Sequence, residues 1–146
     1  MDKKTCVTAV MACLLLLASI PSTSAYTGHQ LSRAEVSDFT LVDQNNENFT
    51  FSQSLSDVHV VAFIFTECPD VCPVITQSLK LVQDGLSDAD AQEVEFISIS
   101  VDPRRDTPER LATFTELHGV DWPHLTGEAD VLADVYNTFG LSLIHI

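Results

Sequence analysis

Val58 to Phe65 is almost wholly apolar, rich in β-branched and aromatic residues and interrupted only by His59. The chain passes from it directly into Thr66-Glu67-Cys68-Pro69-Asp70-Val71-Cys72-Pro73. A short run of this kind with turn signals at both ends predicts a strand buried on both faces. After the cysteines, Val74, Ile75, Leu79 and Val82 recur at helical spacing and Gly85 ends the pattern, so a helix follows with those residues as its apolar stripe. A buried strand that hands over to a helix across two cysteines restricts the chain to α/β architecture.

The flanking segments extend that reading. Asp38 to Val42 and Asn48 to Phe51 alternate like strands around the turn residues Asp43-Gln44-Asn45-Asn46-Glu47, which predicts a hairpin. Val94 to Val101, with Phe96, Ile97, Ile99 and Val101, predicts a second buried strand. Thr107-Pro108-Glu109 is a helix start: a hydroxyl cap, proline at the first helical position, then an acid. Leu111, Phe114 and Leu117 line that helix and Gly119 stops it. A last helix runs from about Glu128 to Phe139, with Val131, Leu132, Val135 and Tyr136 inward and Gly140 at its end. Strands alternating with helices imply a parallel central pair joined by a right-handed crossover.

The position of the cysteine pair carries the chemistry. Pro73 belongs in the first helical turn, so Cys68 and Cys72 stand at a helix N-terminus, whose N–H groups and dipole favour thiolate. An offset of four residues puts both thiols on one face of a turn, able to share a metal or to form a disulfide. Two soft thiolates suit Cu(I), and an added imidazole would suit Cu(II). Zinc would prefer four ligands in a closed site, and no two further candidates stand at metal-site spacing. A purely structural disulfide is the bland alternative, but a staple closing so small a loop constrains the unfolded chain little. Strand-to-helix cysteines mark thioredoxin-like redox sites, although those have two intervening residues rather than three. A peroxidase of the peroxiredoxin kind uses Thr-x-x-Cys, and Thr66-Glu67-Cys68 is one residue short of it.

Composition bounds the setting. There are 21 Asp plus Glu against 7 Lys plus Arg, and Lys80 is the only lysine after the N-terminal segment. Such a surface argues against nucleic-acid binding, which needs cations to neutralise phosphates. It fits a solvated acidic face and, with lysines depleted along the whole chain, adaptation to high salt. Lys3 and Lys4 precede a 14-residue apolar run, Val7 to Ile20, that Pro21 and the small residues Thr23-Ser24-Ala25 terminate. That is the layout of a secretory signal over residues 1–25, or of an N-terminal anchor that would associate the chain with the membrane surface. The run is short of the roughly 20 residues needed to span a bilayer. Either reading places the remainder outside the cytoplasm. Residues 26–37 read as a linker and 38–146 as the domain. Cys6 and Cys13 fall in the export segment, which leaves Cys68 and Cys72 as the cysteines of the domain.

With these residues in view, the chain resembles the Sco/SenC family. The matching blocks are Phe65-Thr66 before Cys68-Pro69-Asp70-Val71-Cys72-Pro73, then Phe96 to Pro108 with its Asp102-Pro103-Arg104-Arg105-Asp106-Thr107-Pro108, and Leu125-Thr126-Gly127. The resemblance runs from about Phe39 to Leu141. It implies a thioredoxin-like α/β domain, with an N-terminal hairpin, a β-α-β core and further helices, lying outside the cytoplasmic membrane. It implies copper held by Cys68 and Cys72 with a distal histidine, and a role in loading the copper centre of cytochrome c oxidase, whose copper-containing subunit would be the partner. Some members instead act as thiol–disulfide reductants of that centre's cysteines, which would make Cys68 and Cys72 a redox pair. Asp102, at the end of the second buried strand, would lie near the thiols and support them.

The resemblance stops before the family's distal histidine. His145 has none of the family's surrounding motif. His29 falls in the linker, His59 in a buried strand, His118 at a helix end and His124 in a loop, so none is assigned as the third ligand. A thioredoxin-like core needs a further hairpin and helix to cover its sheet, and the expectation is a C-terminally truncated sequence with a short foreign tail.

Overall fold

The computed structural model describes residues 36–142, so the expected export segment and nearly all of the expected linker lie outside the described residues. Strands β1 (Thr40–Val42) and β2 (Asn48–Thr50) pair as an antiparallel hairpin with Leu41 opposite Phe49. Asp43 closes its turn, its carboxylate accepting from the N–H groups of Asn45 and Glu47, each at 2.8 Å. This is the local bonding that favours Asp in turns. A single 3-10 turn, Phe51–Gln53, leads to β3 (Val58–Ile64).

β3 pairs in parallel with β4 (Val94–Ser100), and β4 in parallel with β5 (His124–Leu125), giving the order β3-β4-β5. Helix α1 (Val71–Gly85) and the single turn α2 (Asp90–Glu93) connect β3 to β4; α3 (Pro108–His118) connects β4 to β5; α4 (Ala129–Thr138) follows. The hairpin joins the sheet through Val42 and Thr126, whose backbones exchange bonds of 2.8 and 2.9 Å. Gly127 permits that approach, since a Cβ there would stand 2.8 Å from Leu41 Cδ2.

Strand register sorts the core into two faces, because alternate residues point to opposite sides. Ile64, Ala62, Ser98, Ser100 and His124 face α1 and α3, where Cys68, Cys72, Leu111 and Phe114 pack. Ile97, Ile99 and Leu125 face the hairpin and α4, meeting Leu41, Leu132, Val135 and Tyr136. Each fully buried Leu or Ile contributes roughly 1.5–3 kcal/mol.

The α/β class, the hairpin, the parallel pair and the bounds of α3 agree with the sequence reading. Thr107 Oγ1 caps α3 by accepting from the Arg110 N–H at 3.4 Å, and Gly119 ends it in the left-handed region at φ 64°. Four expectations need correction. β3 is half-buried along most of its length, with Ile64 alone fully buried, because it forms one edge of the described sheet. In α1 the buried side chains are Cys72 and Thr76, and Leu79 packs half-buried against Phe96, Val120 and Trp122 as expected, whereas Val74, Ile75 and Val82 face solvent. Leu117 of α3 and Val131 of α4 also point outward. His124 lies in a strand rather than a loop, and β5 and α2 escape a reading by periodicity because two and four residues are too short to show one.

His124 has none of its surface exposed; its ring lies 5.7 Å from both the Phe114 and the Trp122 rings, with Nδ1 3.0 Å from the Trp122 carbonyl. Burial pushes its pKa down to about 4; the Trp122 carbonyl opposes that fall and His118 adds to it. An unfolded histidine titrates near 6.5, so the unfolded chain binds the extra proton first. The stabilisation is therefore complete above pH ~6.5 and is lost as pH falls towards 4, roughly 3 kcal/mol in all and about 2 kcal/mol of it by pH 5. Urea unfolding at pH 7 and pH 5 is expected to show a steeper loss in the wild type than in His124→Gln. Equal slopes would remove His124 as the cause.

Candidate metal and redox site

The turn between β3 and α1 is fastened from both sides. On the inside, Asp106 is 1 % exposed and its carboxylate accepts from the Thr66 hydroxyl at 2.6 Å, from the Thr66 N–H at 3.2 Å and from the Ser100 hydroxyl. On the outside, Glu67 receives Arg110 Nη2 at 2.7 Å and Arg105 Nη1 at 2.8 Å. Hydrogen bonds from Arg110 first and then Arg105 hold the Glu67 carboxyl below its ordinary pKa. Thr66 and Glu67 are thereby locked to the β4–α3 connection just before the first cysteine.

α1 begins without an ordinary cap. Asp70 occupies the N-cap position but its side chain makes no capping bond, and Pro73 contributes no N–H. The sulfur of Cys68 takes the vacant role, accepting from the Cys72 N–H at 3.3 Å. Burial would raise the Cys68 thiol, but it is outweighed by hydrogen bonds from the Asp70 backbone, the Cys72 thiol and the backbones of Cys72 and Val71. Its pKa falls below the ordinary thiol value. Cys72, one turn deeper, is pushed up to about 11 by burial first, then by its bond to Cys68 and the negative charges of Cys68 and Asp106. Both are free thiols, 7 % and 3 % exposed. The arrangement is one acidic sulfur at the helix start backed by one reluctant sulfur a turn further along, both buried, the asymmetry expected of an attacking and a resolving thiol.

A family model described as SCO1/SenC matches residues 27–143. The chain belongs to the SCO1/SenC family. Among Sco/SenC proteins it is 34 % identical over 96 residues to the SCO1 protein homolog of Bacillus subtilis, covering 64 % of this chain and 49 % of that one. It is 31 % identical over 106 residues to protein SenC of Rhodobacter capsulatus, covering 70 % and 48 %. The chain spans about half the length of the curated relatives it matches. The structure of Bradyrhizobium japonicum ScoI with copper bound superposes with a TM-score of 0.65 at 32 % identity, covering 73 % of this chain and 68 % of that one. That of yeast Sco1 with copper bound gives 0.67 at 26 %, covering 75 % and 60 %. These likenesses support the thioredoxin-like fold of Sco proteins.

Within this Sco-family domain the structure brings Cys68 and Cys72 together, as their spacing requires. It places Asp102 one step away: its backbone carbonyl accepts from the N–H groups of Arg105 and Asp106 in the turn, and its carboxylate binds Arg105, which in turn reaches Glu67. The buried carboxylate beside the thiols is Asp106, which the sequence reading passed over although it stands in the same Asp-Thr-Pro block. Its only mark in the sequence is its place directly before the α3 cap Thr107. His59 bonds Ser54 Oγ at 2.7 Å, and His118 lies against Phe114. His29 and His145 lie outside the described residues. Among the described residues, no group of three or more His, Cys, Asp or Glu side chains is assembled for a metal ion, so the site offers two sulfur donors.

Two measurements check this geometry. Cys68 in a Cys72→Ser variant is expected to react with iodoacetamide at least about ten-fold faster at pH 7.5 than Cys72 in a Cys68→Ser variant; equal rates would contradict the asymmetry. Asp106→Ala strands the Thr66 N–H and two hydroxyls, and its urea unfolding free energy is expected to fall by about 3 kcal/mol.

Proposed function

We propose that this chain is an exported copper-binding protein in which Cys68 and Cys72 supply two sulfur ligands, acting in assembly of the copper centre of cytochrome c oxidase. The observation that carries the reading is the free thiol pair at the capped start of α1 in a Sco-family domain. Two adjacent soft sulfur donors fit Cu(I), the smallest and softest demand on a site that offers no further ligand cluster among the described residues. Support also comes from Sco proteins whose structures were solved with copper bound. A further solved relative, BsSco, is described as a member of a family of cytochrome c oxidase assembly proteins. Export rests on the signal-like layout of residues 1–25, and Asp102 acts through Arg105 and Glu67 in holding the cysteine turn.

The unequal thiols favour a second reading, reduction of a disulfide target. The Cys68 thiolate attacks one sulfur of the target's disulfide, forming a mixed disulfide and releasing the other target sulfur as thiolate. Cys72 gives up its proton and attacks Cys68 Sγ, releasing the reduced target and leaving a Cys68–Cys72 disulfide, so two electrons pass from this chain to the target.

Titration of the reduced protein with Cu(I) against a chromophoric chelator is expected to give one copper per chain. Cys72→Ser is expected to weaken binding at least about a hundred-fold, since one of two sulfur donors is lost. No stoichiometric binding, together with catalytic reduction of a disulfide target, would overturn the copper reading in favour of the second.

A further inference from the structure

The chain contains four asparagines, and one of them stands in the triplet Asn48-Phe49-Thr50. Asn45, Asn46 and Asn137 have Glu47, Asn48 and Phe139 two places on, so none of them repeats the pattern. An asparagine followed two residues later by a hydroxyl, with no proline between, is the acceptor sequence for N-linked glycans. Such a triplet also arises by chance, so its setting in the fold has to decide.

That setting follows from the hairpin register. Leu41 and Phe49 are cross-strand partners, and both pack into the core that contains Leu132 and Val135 of α4. Side chains alternate along a strand, so Asn48 and Thr50 stand on the other face, opposite Val42 and Thr40. The Thr40 and Thr50 hydroxyls meet there at 3.0 Å, on the solvent side of the hairpin. Asn48 is exposed and comes directly after the turn. The side-chain bonds of that turn run between Asp43, Asn45 and Glu47 and leave the Asn48 amide out. Among the described residues β2 pairs with β1 alone, so Asn48 also lies on an open strand edge. The hairpin covers the sheet face opposite the one on which Cys68 and Cys72 pack, so bulk added at Asn48 leaves the thiols clear.

We propose that Asn48 is an N-glycosylation site, whose donor is an oligosaccharide carried on a lipid phosphate. The inference rests on the export proposed above, because the transfer takes place outside the cytoplasm. The Asn48 amide nitrogen attacks the first carbon of the sugar. An N–C bond forms, the C–O bond to the carrier phosphate breaks, and the amide proton leaves with the phosphate. The Thr50 hydroxyl completes the acceptor signal from the same face of the strand. The glycan lays uncharged, hydrated bulk over the outer edge of β2, where free N–H and C=O groups would otherwise accept a strand from another chain.

The test is to recover the full chain from the exported fraction of the cells it comes from and to measure the mass of the peptide carrying Asn48. An oligosaccharide increment on Asn48 is expected in the wild type, with complete loss in Asn48→Gln and in Thr50→Val and retention in Thr50→Ser. Thr50→Val keeps the acceptor nitrogen and removes the signal alone, so its loss separates enzymatic transfer from an adventitious sugar adduct. Thr50→Ser keeps the signal, so it controls for any disturbance of the hairpin, and circular dichroism checks that the variants fold alike. A bare Asn48 on the exported chain would overturn the inference and leave export standing. A bare chain retained in the cytoplasm would overturn both. An increment that survives either Asn48→Gln or Thr50→Val would also overturn the inference, since the sugar would then be attached by other chemistry.

Discussion

The buried carboxylate of Asp106 is the contact on which the arrangement at the site depends. It accepts from Thr66 and from Ser100, so one group joins the β3–α1 turn, the end of β4 and the approach to α3. A carboxylate withdrawn from water is costly unless its lone pairs are met, and here three donors meet them. Removing any of the three elements leaves the others with unpaired polar groups. The cysteine turn therefore inherits its rigidity from the sheet and from the β4–α3 connection rather than from its own short loop. The Glu67 clasp adds a second attachment on the solvent side, where exposure and screening make each ion pair a modest contributor.

Above that anchor, a sulfur atom serves as the helix cap. Ordinary caps are oxygen acceptors from Ser, Thr, Asp or Asn, and α1 uses none of them. Proline at the third helical position reduces the number of N–H groups needing a partner, and Cys68 takes the one on Cys72. The same bond that starts the helix lowers the thiol's pKa, so local folding and reactivity share a cause. Cys72 lies one layer further in, against Leu111 and Phe114, where burial and the neighbouring negative charge keep its proton on. The opposite tendencies of the two thiols follow from hydrogen bonds that outweigh burial at Cys68 and from burial and neighbouring charge at Cys72, across four residues of sequence.

Much of this was legible in the chain. Thr107, Pro108 and Gly119 encode the ends of α3 by cap, fixed φ and left-handed glycine, all of which act within a few residues. The strand-to-helix placement of Cys68 and Cys72 was equally local. What failed were inferences about which side faces inward. Val74, Ile75 and Val82 form a periodic apolar stripe, but the inner face of α1 carries Cys72 and Thr76, with Leu79 half-buried beside them. Periodicity reveals that a stripe exists and not what it packs against. Asp102 and Asp106 stand four residues apart in one turn, and only the path of the backbone decides which carboxylate enters the core. His124 is concealed for a related reason, since a two-residue strand has no period and its burial depends on Phe114 and Trp122 arriving from elsewhere.

The sulfur cap has a mechanical corollary. A lone pair on Cys68 that is given to a metal ion or drawn into a covalent bond is less available to the Cys72 N–H, and the first turn of α1 loses part of its closure. The chemical state of the site is then written into the stability of that turn. The amide proton of Cys72 is the natural place to read it, as a gauge of helix fraying that lies inside the protein yet answers to whatever Cys68 holds.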